Sequence, residues 1–320
     1  MAPSAVKRSP ICVVGAMSYD QIAQTEQPFL QNGPALNCKL INLTRHFGGC
    51  GGNIAFGITQ LGPPPLLLSA LGQIDAAAYQ QHCAEHGIDQ TGVLMFDEAH
   101  CARAMVFSDP LEQQFTAFFP GPVPVVADWQ KHLASVQQDL QTARVMLCAP
   151  YPEALMRESL RTLRQMNPQA LRLWCPGQYA DRLDTYAMTE FAGEWEWLIG
   201  NEHEIKHLRQ ISGSELDTKT LIETRGGEPV RVQFADGDVR QFNVAEQPMV
   251  ADPTGCGDAF AAGFSQSIAQ ALSPTESPAA LPLEKTKALI SLAVQQGIRL
   301  ASACLRHTGC QSYQIDRNAL

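Results

Sequence analysis

The chain reads as an α/β fold: a mostly parallel sheet covered by helices on both faces, with a smaller β-sheet beside it. Three observations predict this. Short apolar runs recur at residues 11–15, 66–71, 145–149, 171–175, 197–200 and 219–224, and they are continuous rather than alternating. Continuous runs of that length suit strands buried on both faces, as in a parallel sheet. Stretches of helical periodicity separate most of them, which is the βαβ pattern. Finally, residues 16–46 lack helical periodicity, and residues 93–122 read as short strands with no helices between them.

Taken in order, the strand at 11–15 is followed by the segment 16–46 and then by a helix over 53–61. After the strand at 66–71, the segment 93–122 carries strands at 104–107 and 114–119. Polar turns at Asp97-Glu98 and Ser108-Asp109-Pro110 bound them. Helices at 129–141, 152–165, 183–191 and 202–210 alternate with the strands from 145 to 224. Two long helices, 258–271 and 283–303, close the chain across a Ser/Pro-rich loop at 273–282. Strands without crossover helices do not belong to a βαβ core. Residues 1–15, 47–92 and 123–320 are therefore assigned to the core domain, and 16–46 with 93–122 to the small sheet.

A chain of 320 residues, 45% hydrophobic and 17% charged, has ample material for a core. The net charge of −9 argues against nucleic acid as a partner, since phosphate backbones are bound by basic surfaces. It does not exclude a nucleotide, whose few phosphates can be held by backbone N–H groups. No apolar run reads as long enough to cross a membrane, and residues 1–10 lack a signal-peptide core, so a cytoplasmic protein without membrane contact is expected. None of the ten cysteines forms a Cys-x-x-Cys pair, which leaves reduced thiols packed as small hydrophobes. Cys256 differs from the rest, because a thiol at a helix start can have a lowered pKa.

The most informative segment is Ala251-Asp-Pro-Thr-Gly255-Cys256-Gly257-Asp258-Ala-Phe-Ala-Ala-Gly263. Glycines at 255 and 257 let a loop turn its N–H groups toward one point, and the helix that follows adds the positive end of its dipole. Asp258 stands at the edge of that anion pocket as a proton acceptor. An anion hole beside a carboxylate suits phosphoryl transfer to a hydroxyl. The segment read alone also allows Asp258 to be a helix cap. Asp20 follows the first strand, at the carboxyl end where open α/β sheets bind ligands. Gly48, Gly49 and Asn53 open a helix, where a carboxamide can both donate to and accept from a hydroxyl. Asn201 and Glu204, three apart at a helix start, share a face and also fit a capping arrangement.

These motifs together, Phe47-Gly48-Gly49-Cys50-Gly51-Gly52-Asn53, Asn201-Glu202-His203-Glu204 and Asp252-Pro-Thr-Gly-Cys-Gly-Asp258, resemble the signatures of the ribokinase/PfkB family of carbohydrate and nucleoside kinases, in the family's order. The resemblance covers essentially the whole chain. It implies a three-layer α/β/α core with the small sheet as a lid over the substrate, and an ATP-dependent kinase. Asp258 would be the catalytic base, with Gly255, Cys256 and Gly257 as the anion hole. Asp20, Gly48, Gly49 and Asn53 would grip the acceptor's hydroxyls. Asn201, Thr224 and Gly226 would serve the nucleotide, and Glu204 would hold Mg²⁺ through water. A monovalent cation stays open as a further cofactor. Pro229 stands where the family's nucleotide loop commonly has its last glycine.

Further details resemble the bacterial adenosine and nucleoside kinase branch: the Phe-Gly-Gly-Cys helix start, Gln113-Gln-Phe-Thr-Ala-Phe-Phe-Pro-Gly121, Pro176-Gly177-Gln178 and Gly309-Cys310-Gln311. Cys175, where the branch generally has Asp, and Met105, at a position commonly aromatic, depart from it. The function implied is phosphorylation of a nucleoside 5′-hydroxyl, most readily that of adenosine. A ribokinase- or fructokinase-like sugar kinase and a non-catalytic nucleoside or sugar sensor are the alternatives. The expected partners are therefore a small nucleoside or sugar and ATP, in a monomer or homodimer. Phe107, Phe118 and Phe119 are candidate walls of the acceptor site. Arg103 is a candidate for reaching the transferred phosphate, set against a solvated rim.

Overall fold

A computed structural model describes residues 8–29, 37–191, 193–247, 252–273, 276 and 281–315. Ala251 and parts of the segments 1–15, 16–46 and 273–282 lie outside the described residues. The N-terminal elements are β1 (Ile11–Val14), β2 (Ser18–Thr25), β3 (Leu40–Gly48), α1 (Cys50–Leu61), β4 (Leu66–Gly72), α2 (Ala77–His86) and β5 (Val93–Phe96). There follow β6 (Ala102–Ser108), β7 (Gln114–Phe119), α3 (Val126–Ser135), α4 (Gln137–Thr142), β8 (Val145–Cys148), α5 (Glu153–Met166), β9 (Leu171–Trp174) and α6 (Thr185–Phe191). The last elements are β10 (Trp197–Asn201), α7 (Glu202–Ser212), β11 (Thr220–Arg225), β12 (Glu228–Gln233), β13 (Val239–Phe242), α8 (Cys256–Ala271) and α9 (Leu283–Leu305).

Among the described residues, nine strands form the large sheet in the order β13-β12-β11-β10-β9-β8-β1-β4-β5. The pairs from β11 through β5 are parallel, while β12 is antiparallel to both β11 and β13, so β12 is the one reversed strand of this sheet among the described residues. Alternate residues of one strand serve opposite layers, which explains the continuous apolar runs. Ile11 and Val13 of β1 pack with α1, α8 and α9 through Ile54, Phe260 and Ile290. Cys12 and Val14 pack with α3 and α5 through Trp129 and Leu160 on the other face. Each such large apolar side chain stabilises the fold by about 1.5–3 kcal/mol on burial.

The second sheet has the order β3-β2-β6-β7. Val93–Phe96 is not part of it. This strand pairs parallel with β4 in the large sheet, from Ser69 opposite Val93 to Gly72 opposite Phe96, which corrects the assignment of all of 93–122 to the small sheet. The small sheet joins the core directly, since β3 runs into α1 and β2 leaves β1 after three residues. Ser18 pairs with both Gly48 and Ala102, so the start of β2 is clamped between β3 and β6. The helix α9 is long and apolar enough, by length and composition, to cross a membrane, contrary to the expectation from sequence. Here it packs on α8, burying Ile290, Val294 and Leu300 in the core.

Candidate active site

The carboxyl ends of β1, β8, β9, β10 and β11 open onto a cavity of about 540 Å³, roofed by Ala104, Thr116 and Phe118 of the small sheet. A second cavity of about 600 Å³ lies beyond α8, lined by Gly226, Val244, Phe260 and Ile298 among others. Thr224 and Gly257 line both. Two chambers therefore meet at the N-terminus of α8.

Gly255 precedes that helix with φ of 78°, in the left-handed region, and a Cβ there would stand 2.7 Å from Cys310. Only glycine makes this turn without strain. The N–H groups of the first turn have no intrahelical acceptor, so they and the helix dipole favour an anion where the chambers join. Asp258, in the same turn, faces the first cavity. Burial pushes its carboxyl up to about 7, and the negative charges of Asp20 and Glu204 add to this. The hydrogen bonds from Asn53 and Cys50 oppose the shift. Asn53 Nδ2 donates to Asp258 Oδ2 at 2.8 Å. A carboxyl poised near neutral pH is suited to exchanging a proton with a hydroxyl.

Asp20 comes off β2 into the same cavity. Its carboxylate lies so close to Gly48 that a Cβ at 48 would overlap it. Burial pushes Asp20 up to about 6, against a hydrogen bond from Ser18 Oγ at 3.2 Å, with the charge of Asp252 adding to the rise. Gly49 and Asn53 line the cavity, while Gly48 backs Asp20 from outside it.

Asn201 and Glu204 form a reciprocal capping box: Glu204 N–H donates to Asn201 Oδ1 at 2.9 Å, and Asn201 N–H to Glu204 Oε2 at 3.0 Å. Both also line the first cavity, so the capping and ligand readings coexist. Burial raises the Glu204 carboxyl. A carboxylate with spare lone pairs beside an anion site fits Mg²⁺ held through water. Thr224 sits at the junction, and Gly226 faces only the second cavity. Cys256 also faces the second cavity, and its thiol is lowered by a hydrogen bond from Cys304. The lowering expected at a helix start is thus present with a different leading cause.

Three sequence candidates, Arg103, Phe107 and the exposed Phe119, line neither cavity. Arg103 is ion-paired with Asp75 and does not line either cavity. Of the three phenylalanines, Phe118 lines the first cavity, whereas Phe107 packs against Phe115 with ring centroids 6.3 Å apart. Several contributors do not stand out in the sequence. Cys50 hydrogen-bonds Asp258, and Gln311, Tyr79 and His82 stand behind Asn53. Gly309-Cys310-Gln311 is visible as a family-like tripeptide, but nothing in the sequence says that it meets a helix more than 200 residues away.

Comparison with known proteins shows the family and the fold. The chain matches the pfkB family carbohydrate kinases over residues 8–317. It is 24% identical over 265 residues to a nucleoside kinase of Methanocaldococcus jannaschii, covering 81% of this chain and 83% of that one. The fold is similar to that of Burkholderia thailandensis nucleoside kinase in complex with inosine, with a TM-score of 0.78, 23% identity, and 96% and 95% of the two chains covered. It is also similar to Giardia lamblia ribokinase, with a TM-score of 0.79, 16% identity, and 98% and 100% covered. The family match spans nearly all of the chain, which therefore belongs to the pfkB family of carbohydrate kinases and is an ATP-dependent kinase.

Proposed function

We propose that this kinase transfers the γ-phosphoryl group of ATP to the 5′-hydroxyl of a purine nucleoside, adenosine foremost. The observation that carries the reading is the position of Asp258 where the two cavities join, beside the open N-terminus of α8. The acceptor occupies the first cavity and ATP the second, whose apolar walls at Val244, Phe260 and Ile298 suit a base. Asp258 takes the proton of the acceptor hydroxyl as the new O–P bond forms and the bond to the ADP oxygen breaks. The N–H groups at 255–257 stabilise the charge on the moving phosphoryl. Asp20 and Asn53 hold the acceptor's hydroxyls, with Gly48 and Gly49 allowing the close approach. Asn201, Thr224 and Gly226 serve the ATP phosphates. Glu204 would hold Mg²⁺ through water, and the ion would there supply charge neutralisation for the phosphates. We assign the enzyme to the cytoplasm, where ATP is supplied.

The nucleoside kinase relatives and the resemblance around Gln178, Phe118 and Gln311 support a nucleoside acceptor. Gln178, Tyr179 and Arg182 line the cavity and would give a base both polar and aromatic contacts. A sugar kinase is the second reading, because the ribokinase fold is matched as well as the nucleoside kinase fold. An ATP-consumption screen over adenosine, inosine, guanosine, cytidine, ribose and fructose tests it. Preference for a free sugar over every nucleoside overturns the proposal.

A further inference from the structure

We infer that Gln311 and His82 are positioning residues for phosphoryl transfer, acting on Asp258 through Asn53. The inference rests on the reading of Asp258 as the base. Its content is the direction of each hydrogen bond behind that residue.

As a carboxylate, Asp258 can only accept, so Asn53 must present its Nδ2 to Oδ2. That turns Asn53 Oδ1 the other way, where Gln311 Nε2 donates to it at 2.9 Å. The second hydrogen of Gln311 Nε2 goes to Tyr79 Oη at 2.8 Å. Tyr79 can accept there because its own hydroxyl donates to the Gly48 carbonyl at 2.8 Å. With Nε2 so committed, Gln311 Oε1 faces His82 Nε2 at 2.9 Å, and His82 must carry its proton on that nitrogen. The result is a one-way series of donors: His82 to Gln311, Gln311 to Asn53, Asn53 to Asp258.

Each donor in the series is buried, with Asn53 and Gln311 5% exposed and His82 6%. Turning either amide over would set oxygen against oxygen at a buried contact. The imidazole itself is fixed by stacking on Phe47, with centroids 4.0 Å apart and planes 13° from parallel. Burial also holds His82 neutral, its pKa lowered to about 4. The series ends at the reacting carboxylate, so the orientation of one imidazole determines which atom of Asn53 meets Asp258.

Two consequences follow for the acceptor. Asn53 Oδ1 already accepts from Gln311, whereas Nδ2 keeps a second hydrogen, so Asn53 meets a substrate hydroxyl most readily as a donor. The sequence alone allows both roles. The Asp258 carboxylate likewise keeps lone pairs beyond the one that accepts from Asn53 at Oδ2, and these are open to the attacking hydroxyl.

A double-mutant cycle tests the series. Gln311→Glu keeps shape but removes the donor to Asn53. It should lower kcat by about 10- to 100-fold, because an Asn53 left unfixed loses its hydrogen bond to the charged Asp258, with KM for ATP within about twofold. His82→Phe keeps the stack on Phe47 and frees the Gln311 amide, and should lower kcat by about 3- to 10-fold. In an Asn53→Ala background, each should change kcat by less than about twofold, because its route to Asp258 is gone. Folding of every variant is checked by circular dichroism and Tm. Should Gln311→Glu fail to fold, the His82→Phe cycle decides the matter alone. Additive effects, or a folded Gln311→Glu enzyme with wild-type kcat, overturn the inference. Near-wild-type turnover of Asp258→Asn instead refutes Asp258 as the base, and that result is read independently of the cycle.

Discussion

Asn53 and Asp258, 205 residues apart in the chain, meet at 2.8 Å where α1 and α8 converge. The contact joins the helix that opens after the small sheet to the helix whose N-terminus lies between the two cavities. It also biases the carboxyl. Burial and the charges of Asp20 and Glu204 favour the protonated form, while the Asn53 and Cys50 donors pull the other way. The balance near 7 lets one group accept a proton and later release it.

Asp258→Asn keeps the shape and the contact with Asn53 but cannot take the proton. Turnover should fall by about 10²- to 10⁴-fold, with acceptor affinity little changed. Single-turnover kinetics with the best nucleoside measure the step directly, and retained wild-type rates would remove Asp258 from the chemistry.

The same substitution should stabilise the fold in a pH-dependent way. The folded-state pKa of Asp258 is raised, so the stability tied to its neutral form is present at acid pH and lost as pH rises through about 7. The carboxamide of the variant stays neutral throughout. The variant's advantage should therefore grow by on the order of 1 kcal/mol per pH unit between the ordinary carboxylate range and 7, then level off. Denaturant unfolding from pH 5 to 9 reads this, and an advantage that shrinks with rising pH would show that the carboxyl is not destabilised by burial.

Asp20 should shape the pH dependence of binding. Its carboxyl is raised to about 6, so it loses its charge as pH falls through that value. Acceptor KM should rise below pH 6 while ATP KM holds, and kcat/KM should climb with pH through apparent values near 6 and 7 that belong to the coupled pair. Asp20→Ala and Asn53→Ala should both raise KM for the acceptor more than for ATP. The reverse pattern would exchange the two substrates' cavities.

Much of this site is legible in sequence because its parts are local. A glycine turn before an apolar helix is an anion site wherever it occurs, and strands buried on both faces announce a parallel sheet. The rest depends on distant contacts. The helix α2 escapes a periodicity search because its buried face is Tyr79, His82 and Cys83, two of them polar residues committed to hydrogen bonds. Val93–Phe96 could join either sheet until its register with β4 is known. The edge strand β13 is too short and exposed to show a pattern. Gln311 looks like any polar residue near a C-terminus until the fold brings it beneath Asn53.

We expect the small sheet to close over the acceptor. Ala104, Thr116 and Phe118 roof the cavity, while Phe118 is still 43% exposed, so a bound nucleoside would bury it further. Closure excludes the water that would otherwise compete for the phosphoryl group. Hydrogen exchange with saturating nucleoside should show added protection in β2, β6 and β7, and much less in α9. Equal protection everywhere, or none in these strands, would remove the lid role.

The two glycines that flank Cys256 should fail in different ways when replaced by alanine. At Gly255 the left-handed φ of 78° and the 2.7 Å approach to Cys310 both oppose a side chain. Gly255→Ala should cost about 1–2 kcal/mol of stability, and more if Cys310 cannot shift. Gly257 lies inside the helix, and a Cβ there meets nothing within 4 Å. Alanine at 257 should leave the fold intact or raise its stability by up to about 1 kcal/mol, since it is the better helix former. Its methyl group, however, would project where both cavities meet and the transferred phosphoryl must pass. Gly257→Ala should therefore lose kcat while keeping or gaining Tm, whereas Gly255→Ala loses both. Measuring Tm beside kcat for the pair separates a turn required by the backbone from space required by the substrate. A Gly257→Ala enzyme with wild-type kcat would mean that the phosphoryl group does not cross at this helix start.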